Sequence, residues 1–267
     1  MTLLLFYLST IAISWSAWTP LVLGRLGHGE AAPAVLHLLG SLGPALSALL
    51  ISRLPFSPVR PSDLRRRLSL RATPPKATAA AILLPAVIGV AGLFGQWLAG
   101  AESPAWARVL TTVEYPSLGP AGWILASIVF YGFGEEIGWR GLALPILNRR
   151  FDGLSAALLM SLPWALWHLP LLISSPTYTS LGAAGLAGWL FSLATGSVLL
   201  TLLLVMSGGS LIPVAIFHAT LDLAMVNPAV SPLGVNIMGG LISVFGLLAA
   251  YGCSRVARGT PGVVAPL

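Results

Sequence analysis

Glu135, Glu136, Arg140, His168, His218 and Asp222 stand out because each falls inside a long apolar stretch of a chain that is 56% hydrophobic and only 8% charged. On insertion scales a charged side chain near the centre of a bilayer costs roughly 2.5–3.5 kcal/mol. The two glutamates, the arginine and the aspartate together cost on the order of 10 kcal/mol before any pairing, which rivals the whole stability of a typical domain. A chain keeps such groups when they are paired, wet or used, and intramembrane ionisable residues are read first as a functional site.

Spacing assigns partners. Glu136 and Arg140 are four residues apart on one helical face, acid before base, so an ion pair lowers the cost of both. Glu135 points about 100° away around the same helix and has no partner at that spacing, which leaves its carboxylate free for chemistry. His218 and Asp222 are also four apart, so Asp222 can accept from one ring nitrogen and fix the tautomer. Trp164 lies one turn before His168 and can pack beside its ring.

A carboxylate in a low-dielectric pocket suits general-base work near neutral pH. Beside a histidine it can take a proton from water, and a second histidine can stabilise a developing oxyanion. The chemistry is hydrolysis of an amide by activated water, with no covalent intermediate. A metal version is open as well: Glu135, His168 and His218 make a two-histidine, one-carboxylate set that could hold a divalent ion such as zinc. No H-E-x-x-H occurs, so the usual zinc-protease helix is absent. Ser161 and Ser210 are available as nucleophiles, but no G-x-S-x-G elbow accompanies them.

The elements that must position these residues follow from composition. A soluble protein carries about a quarter of its residues as charged side chains, and this chain cannot cover a water-facing surface. The expected fold is all-α, a polytopic membrane bundle treated as a single domain over 1–267. Stretches of about 20 apolar residues run near Leu3–Leu23, Pro33–Ser52, Ala77–Leu98, Ala121–Leu147, Leu154–Ser174, Leu181–Met206, Ser210–Val226 and Gly234–Cys253, so about eight spans are expected. Breakers separate them at Gly24–Gly29, Leu54–Pro75, Asn148–Gly153, Ser174–Ser180, Ser207–Gly209 and Asn227–Pro232, of which Ser207–Gly209 reads as either a kink or a turn.

If the spans alternate, one side receives Arg53, Arg60, Arg65, Arg66, Arg67, Arg71, Lys76, Arg149, Arg150, Arg255 and Arg258, and the other only Arg25 and Arg108. That bias of 11 to 2 predicts cytoplasmic termini, and explains the net charge of +6 by topology and anionic lipid headgroups rather than nucleic acid. Leu64–Leu70 reads as a short surface helix or a plain basic loop. Counted from the cytoplasmic end, Glu135 and Asp222 lie roughly 18 Å deep, His218 roughly 12 Å and His168 roughly 21 Å, so three helices bring their polar groups into one slab. Trp15, Trp18, Trp97, Trp106 and Trp123 read as interfacial anchors, His28 and His37 carry no assignment, and Cys253, the single cysteine, reads as packing.

At Glu135-Glu136-Ile137-Gly138-Trp139-Arg140, Trp164-Ala165-Leu166-Trp167-His168 and His218-Ala219-Thr220-Leu221-Asp222 the sequence resembles the CPBP family of intramembrane proteases, which includes CAAX-processing, bacteriocin-processing and Abi-type proteins. The family's motifs are E-E-x-x-x-R, F-x-x-x-H and H-x-x-x-N/D; here Trp164 stands where the family has Phe. The resemblance covers a catalytic core of about 120–226, followed after the last span by a short tail, 254–267. It implies a helical-bundle protease in which Glu135 activates water with His168 as its partner. His218 and Asp222 then support the oxyanion, and Glu136 and Arg140 are structural, with Trp164 supporting. It further implies a peptide or membrane-associated protein as substrate and a multi-pass place in the cell membrane; the arginine-rich composition suggests a bacterial inner membrane.

Each residue also has a plainer reading. Glu136 and Arg140 are better read as structural than catalytic, while for Glu135 catalysis is preferred over a second structural acid. A histidine can be merely hydrogen-bonded in a packed core, and Asp222 can be a helix-packing tie. At the level of the whole protein the alternatives are a proton-coupled transporter, since Glu and His also build proton relays, and an inactive scaffold of the same fold. Transporters usually carry internal repeats and paired broken helices, and neither is evident in the sequence.

Overall fold

The structure is a computed structural model that describes residues 1–28, 30, 32–70, 73–100, 108–261 and 263. Arg71 and Trp106, which enter the charge count and the aromatic reading above, lie outside the described residues. The described residues are helical, with no strand among them, and form the expected polytopic bundle.

The long helices are α1 (Thr2–Arg25), α5 (Pro75–Leu98), α12 (Gly182–Met206) and α14 (Pro232–Ser254). Between the first two lie α2 (Val35–Ser41), α3 (Gly43–Ser52) and the short α4 (Pro61–Arg67). The stretch Pro116–Asn148 is one continuous apolar rod built from α6 (Gly119–Ala126), a π-helical segment Ser127–Phe133, α7 (Gly134–Gly138), a second π-helical segment Trp139–Ala143, and α8 (Leu144–Asn148). It is followed by α9 (Gly153–Trp167), α10 (Leu169–Ser174) and α11 (Pro176–Thr179), and α13 (Leu211–Met225) precedes α14.

Among the described residues six segments are long and apolar enough to cross a membrane, with Val35–Ser52 counted as one, and the two remaining apolar stretches carry the shorter apolar helices Gly153–Trp167 and Leu211–Met225, so all eight expected stretches are helical. The fifth and seventh apolar stretches yield α9 and α13, each 15 residues and therefore only about 22 Å long, short of a roughly 30 Å hydrocarbon core. The fifth stretch continues through His168 into α10, and both stretches bring a histidine to the middle of the bundle.

Two expected spans are broken, for identifiable reasons. The α2–α3 break falls at Leu42, immediately before Gly43-Pro44, and the α9–α10 break falls at His168, just before Leu169-Pro170. A proline lacks the N–H that would continue the ladder and disfavours helical geometry in the residue before it. His168 serves as C-cap of α9 and N-cap of α10 at once. The expected loop at Ser174–Ser180 contains α11, and Ser207–Gly209 is a turn, with Gly208 and Gly209 at φ +61° and +86° where a side chain would be strained.

Packing runs α12 along α14, α13 between α5 and the Ser127–Phe133 segment, α9 against α12, and α1 against α2 and α3. Leu83, Val87, Val90, Leu247 and Leu248 stand exposed on α5 and α14, as a lipid-facing surface requires. The aromatic reading needs revision: Trp18 and Trp123 are buried rather than interfacial, while Trp97 is 45% exposed. Trp18 stacks on Trp167 at 4.7 Å and gives its Nε1–H to the His37 carbonyl, so burial leaves its polar end satisfied. Cys253 is buried, with its Sγ 3.3 Å from the Val198 carbonyl.

The end of the bundle that carries the basic connections is knitted shut. Arg67 is buried on α4 and donates to the carbonyls of Gly209 (3.1 Å) and Val263 (2.5 Å), while Arg65 and Arg66 stay exposed. Burial pushes the Arg67 guanidinium down to about 10 against the pull of Asp63, so it stays charged near neutrality. Arg149 donates to the Pro58 carbonyl, Asn148 to the Ala257 carbonyl, and the Gly153 N–H to the Val256 carbonyl. The described residues after α14 are thus tied to the bundle, with Val256 and Val263 buried.

Asp152 caps α9: it accepts from the Ser155 N–H at 2.9 Å and the Ser155 hydroxyl at 2.8 Å, and these bonds hold its carboxyl below the usual range. A group depressed in this way contributes stability above its unfolded pKa, lost as pH falls through the folded one. Asp152→Ala should therefore lower stability by about 1 kcal/mol at neutral pH and Asp152→Asn by much less, read as thermal unfolding in detergent; equal losses would show that the cap contributes nothing.

Candidate active site

The rod Pro116–Asn148 places the acidic pair. Both glutamates sit on the single α-helical turn α7, bracketed by π-helical segments whose extra residue per turn resets which face the downstream side chains present. Glycines let neighbouring elements touch this turn. A Cβ at Gly132 would stand 2.5 Å from the Ala215 carbonyl of α13, one at Gly134 2.8 Å from the Ser41 carbonyl, and one at Gly138 2.5 Å from the Pro44 Cβ. Gly134 and Gly138 form a G-x-x-x-G pair around the glutamates, the small-residue spacing that lets helix backbones meet in a membrane.

Glu136 and Arg140 are fully buried, and Arg140 Nη1 donates to Glu136 Oε1 at 2.7 Å, the ion pair expected from their spacing. The same oxygen lies 2.7 Å from His218 Nδ1, a contact between elements that helix periodicity did not supply. Asp222 does not hold the imidazole as expected: its Oδ2 stands 3.6 Å from His218 Nε2, beyond hydrogen-bond reach, and the side chain is 31% exposed. Glu136 orients His218, and Asp222 flanks its other nitrogen.

Glu135 is 4% exposed and its Oε2 accepts from Trp164 Nε1–H at 2.8 Å. Among the described residues no side chain donates to its other oxygen. Trp164 is therefore more than a neighbour of His168. Its ring lies 5.6 Å from His218, 6.1 Å from His168 and 4.3 Å below the Arg140 guanidinium, a cation–π contact. His168 Nδ1 lies 2.8 Å from the Trp164 carbonyl, which can only accept, so Nδ1 carries the proton and Nε2 is left with its lone pair. Trp167, Trp189 and Tyr178 surround that ring at 4.8, 5.4 and 6.0 Å.

These groups open onto one cavity of about 580 Å³, lined by Glu135, His168, His218 and Asp222 together with Tyr131 and Tyr178. Glu136 and Arg140 lie behind its wall. Sequence reasoning missed His37, which also lines the cavity and meets Glu114 at 2.7 Å. It missed the Trp164–Glu135 bond too; the G-x-x-x-G spacing was the available signal for close packing, while no local pattern announces His37.

A catalytic zinc needs three protein ligands roughly 2 Å from one ion. Among the described residues no three His, Cys, Asp or Glu side chains are grouped to hold a metal. The residues as arranged do not fit the ion, and no step below passes through one.

The fold and cavity define a polytopic membrane helical bundle with a buried carboxylate–imidazole centre. Comparison with known proteins agrees with the motif resemblance: residues 117–224 match the family model described as type II CAAX prenyl endopeptidase Rce1-like, a stretch that contains all three motifs. The chain is also 41% identical over 44 residues to CAAX prenyl protease 2 of Methanococcus maripaludis, a match covering 16% of each chain.

Glu136→Gln should leave Arg140 as an uncompensated buried charge and His218 without its anionic acceptor. The expected loss is about 3–5 kcal/mol of stability, seen as a lowered melting temperature in detergent. Glu136→Gln combined with Arg140→Met should recover part of it; a double variant as unstable as the sum of the singles would show that the two do not interact.

Proposed function

We propose that the chain is an intramembrane endopeptidase in which Glu135 activates the water that cleaves a peptide bond. The observation that carries this reading is the pairing of two adjacent carboxylates with different surroundings. Glu136 is sealed against a guanidinium and an imidazole, while Glu135 faces the cavity with one oxygen held by Trp164 and the other uncommitted. The match of residues 117–224 to a CAAX prenyl endopeptidase family supports the same reaction class.

The atoms balance simply. Glu135 takes a proton from water as the oxygen adds to the peptide carbonyl, giving a tetrahedral oxyanion. The C–N bond then breaks, and the proton held by Glu135 passes to the departing amine. His168 Nε2, unprotonated, is available to accept from the water and align it. His218 Nε2 is the atom left for substrate; carrying a proton, it donates to the oxyanion, with Asp222 beside it. The substrate is a peptide or membrane-associated protein entering an apolar, aromatic-walled chamber, and the chain works within a cell membrane.

Glu135→Gln keeps the shape and the Trp164 contact and removes the base, so peptide cleavage by the purified protein should fall at least about 100-fold with an unchanged melting temperature. Native-like turnover in that variant would end this mechanism. We further propose that the chemistry needs no metal: activity should survive exhaustive chelation with elemental analysis at background. Activity lost on chelation and restored by zinc would replace Glu135 as sole activator.

A further inference from the structure

The cavity lies toward one end of the bundle only, and that end is opposite the basic connections. Its walls include Ala34 and His37 at the start of α2, Val113 and Glu114 before α6, Thr177 on α11 and Val226 after α13. All belong to connections on the side that received only Arg25 and Arg108 in the sequence. The other end carries Arg53, Arg65, Arg66, Arg149, Arg150 and Arg255 and is closed by the hydrogen bonds of Arg67, Arg149 and Asn148. A second cavity of about 270 Å³ adjoins the first at His37, Glu114 and Ser175 and reaches Arg25 at the end of α1, so both cavities lie toward the same face.

Basic residues in short connections mark the cytoplasmic side of a membrane protein. We infer that the chamber is reached from the extracytoplasmic face, and that its substrates are extracytoplasmic or outer-leaflet segments of membrane or exported polypeptides rather than cytoplasmic tails. This rests on the peptidase reading for the word substrate, but the sidedness stands on geometry and charge alone. An extended chain entering there meets Val113, Val226 and Tyr178 as apolar and aromatic walls before it reaches Glu135.

Sidedness is tested on the full chain by thiol labelling. Native protein, whose single cysteine is buried, is the blank. Thr177→Cys reports the chamber end and Arg66→Cys the basic end; both positions are exposed. In intact spheroplasts a membrane-impermeant maleimide should label Thr177→Cys at least tenfold more than Arg66→Cys, and the two should label equally once the membrane is disrupted. Thr177→Cys that waits for disruption, or Arg66→Cys that labels without it, overturns the inference. A second arm compares peptides released by cells carrying the native chain and Glu135→Gln; Glu135-dependent products from cytoplasmic tails would overturn the substrate assignment. Absence of hydrolysis by detergent-purified protein, with labelling as expected, would instead sink the peptidase reading and leave the sidedness intact.

Discussion

A single carboxylate oxygen holds this structure's centre together. Glu136 Oε1 meets both Arg140 Nη1 and His218 Nδ1 at 2.7 Å, joining the Pro116–Asn148 rod to α13 in a place with no access to solvent. Buried ion pairs are not in themselves a source of stability, because desolvation offsets most of the attraction. Their effect is asymmetric: with all three present the charges compensate, and with one missing the others are stranded in a low-dielectric interior. The constraint is therefore one of geometry. α13 can sit in only one register against the rod, and that register sets the position of His218.

Such a centre forms only if backbones come close, and the glycines around the glutamates permit it. Gly132 faces α13 and Gly134 and Gly138 face the α2–α3 break, so three elements converge on one helical turn without side chains between them. The π-helical segments on both sides then decide which side chains look inward. The helix face is reset on both sides of that turn, and within it the two neighbouring glutamates occupy different surroundings because adjacent residues point about 100° apart.

Much of this was legible in the sequence. The apolar stretches marked the helices, and the i,i+4 rule correctly paired Glu136 with Arg140, because both depend on local spacing. The contacts that were misjudged are those between elements. Asp222 was expected to orient His218 from one turn away, but Glu136 arrives from another helix and takes that place. Trp164 does lie beside His168, but its indole N–H also donates to Glu135, a contact that no local spacing announces. The stretch Leu154–Ser174 was expected as one helix because hydropathy does not register that a proline after His168 breaks the ladder, whereas the expected Ser210–Val226 matches α13 and its caps. His37 was invisible to any motif: its relation to the cavity exists only once α2 and the segment before α6 are brought together.

The division of the bundle into a sealed end and an open end ties these observations together. At the sealed end, arginines and asparagine spend their donors on backbone carbonyls of the connections and of the segment after α14, so little is left to move there. At the open end the helix carrying His168 breaks at that residue, and α10 and α11 continue beyond it to supply Leu171, Thr177 and Tyr178 to the chamber wall. His168 stands at that break, Glu135 on the turn α7, and His218 midway along α13, where Glu136 reaches its ring from the rod. The break at His168 thus accomplishes two things in one step, presenting that imidazole to the cavity and turning the chain so that α10 and α11 wall the space in which a peptide could meet it.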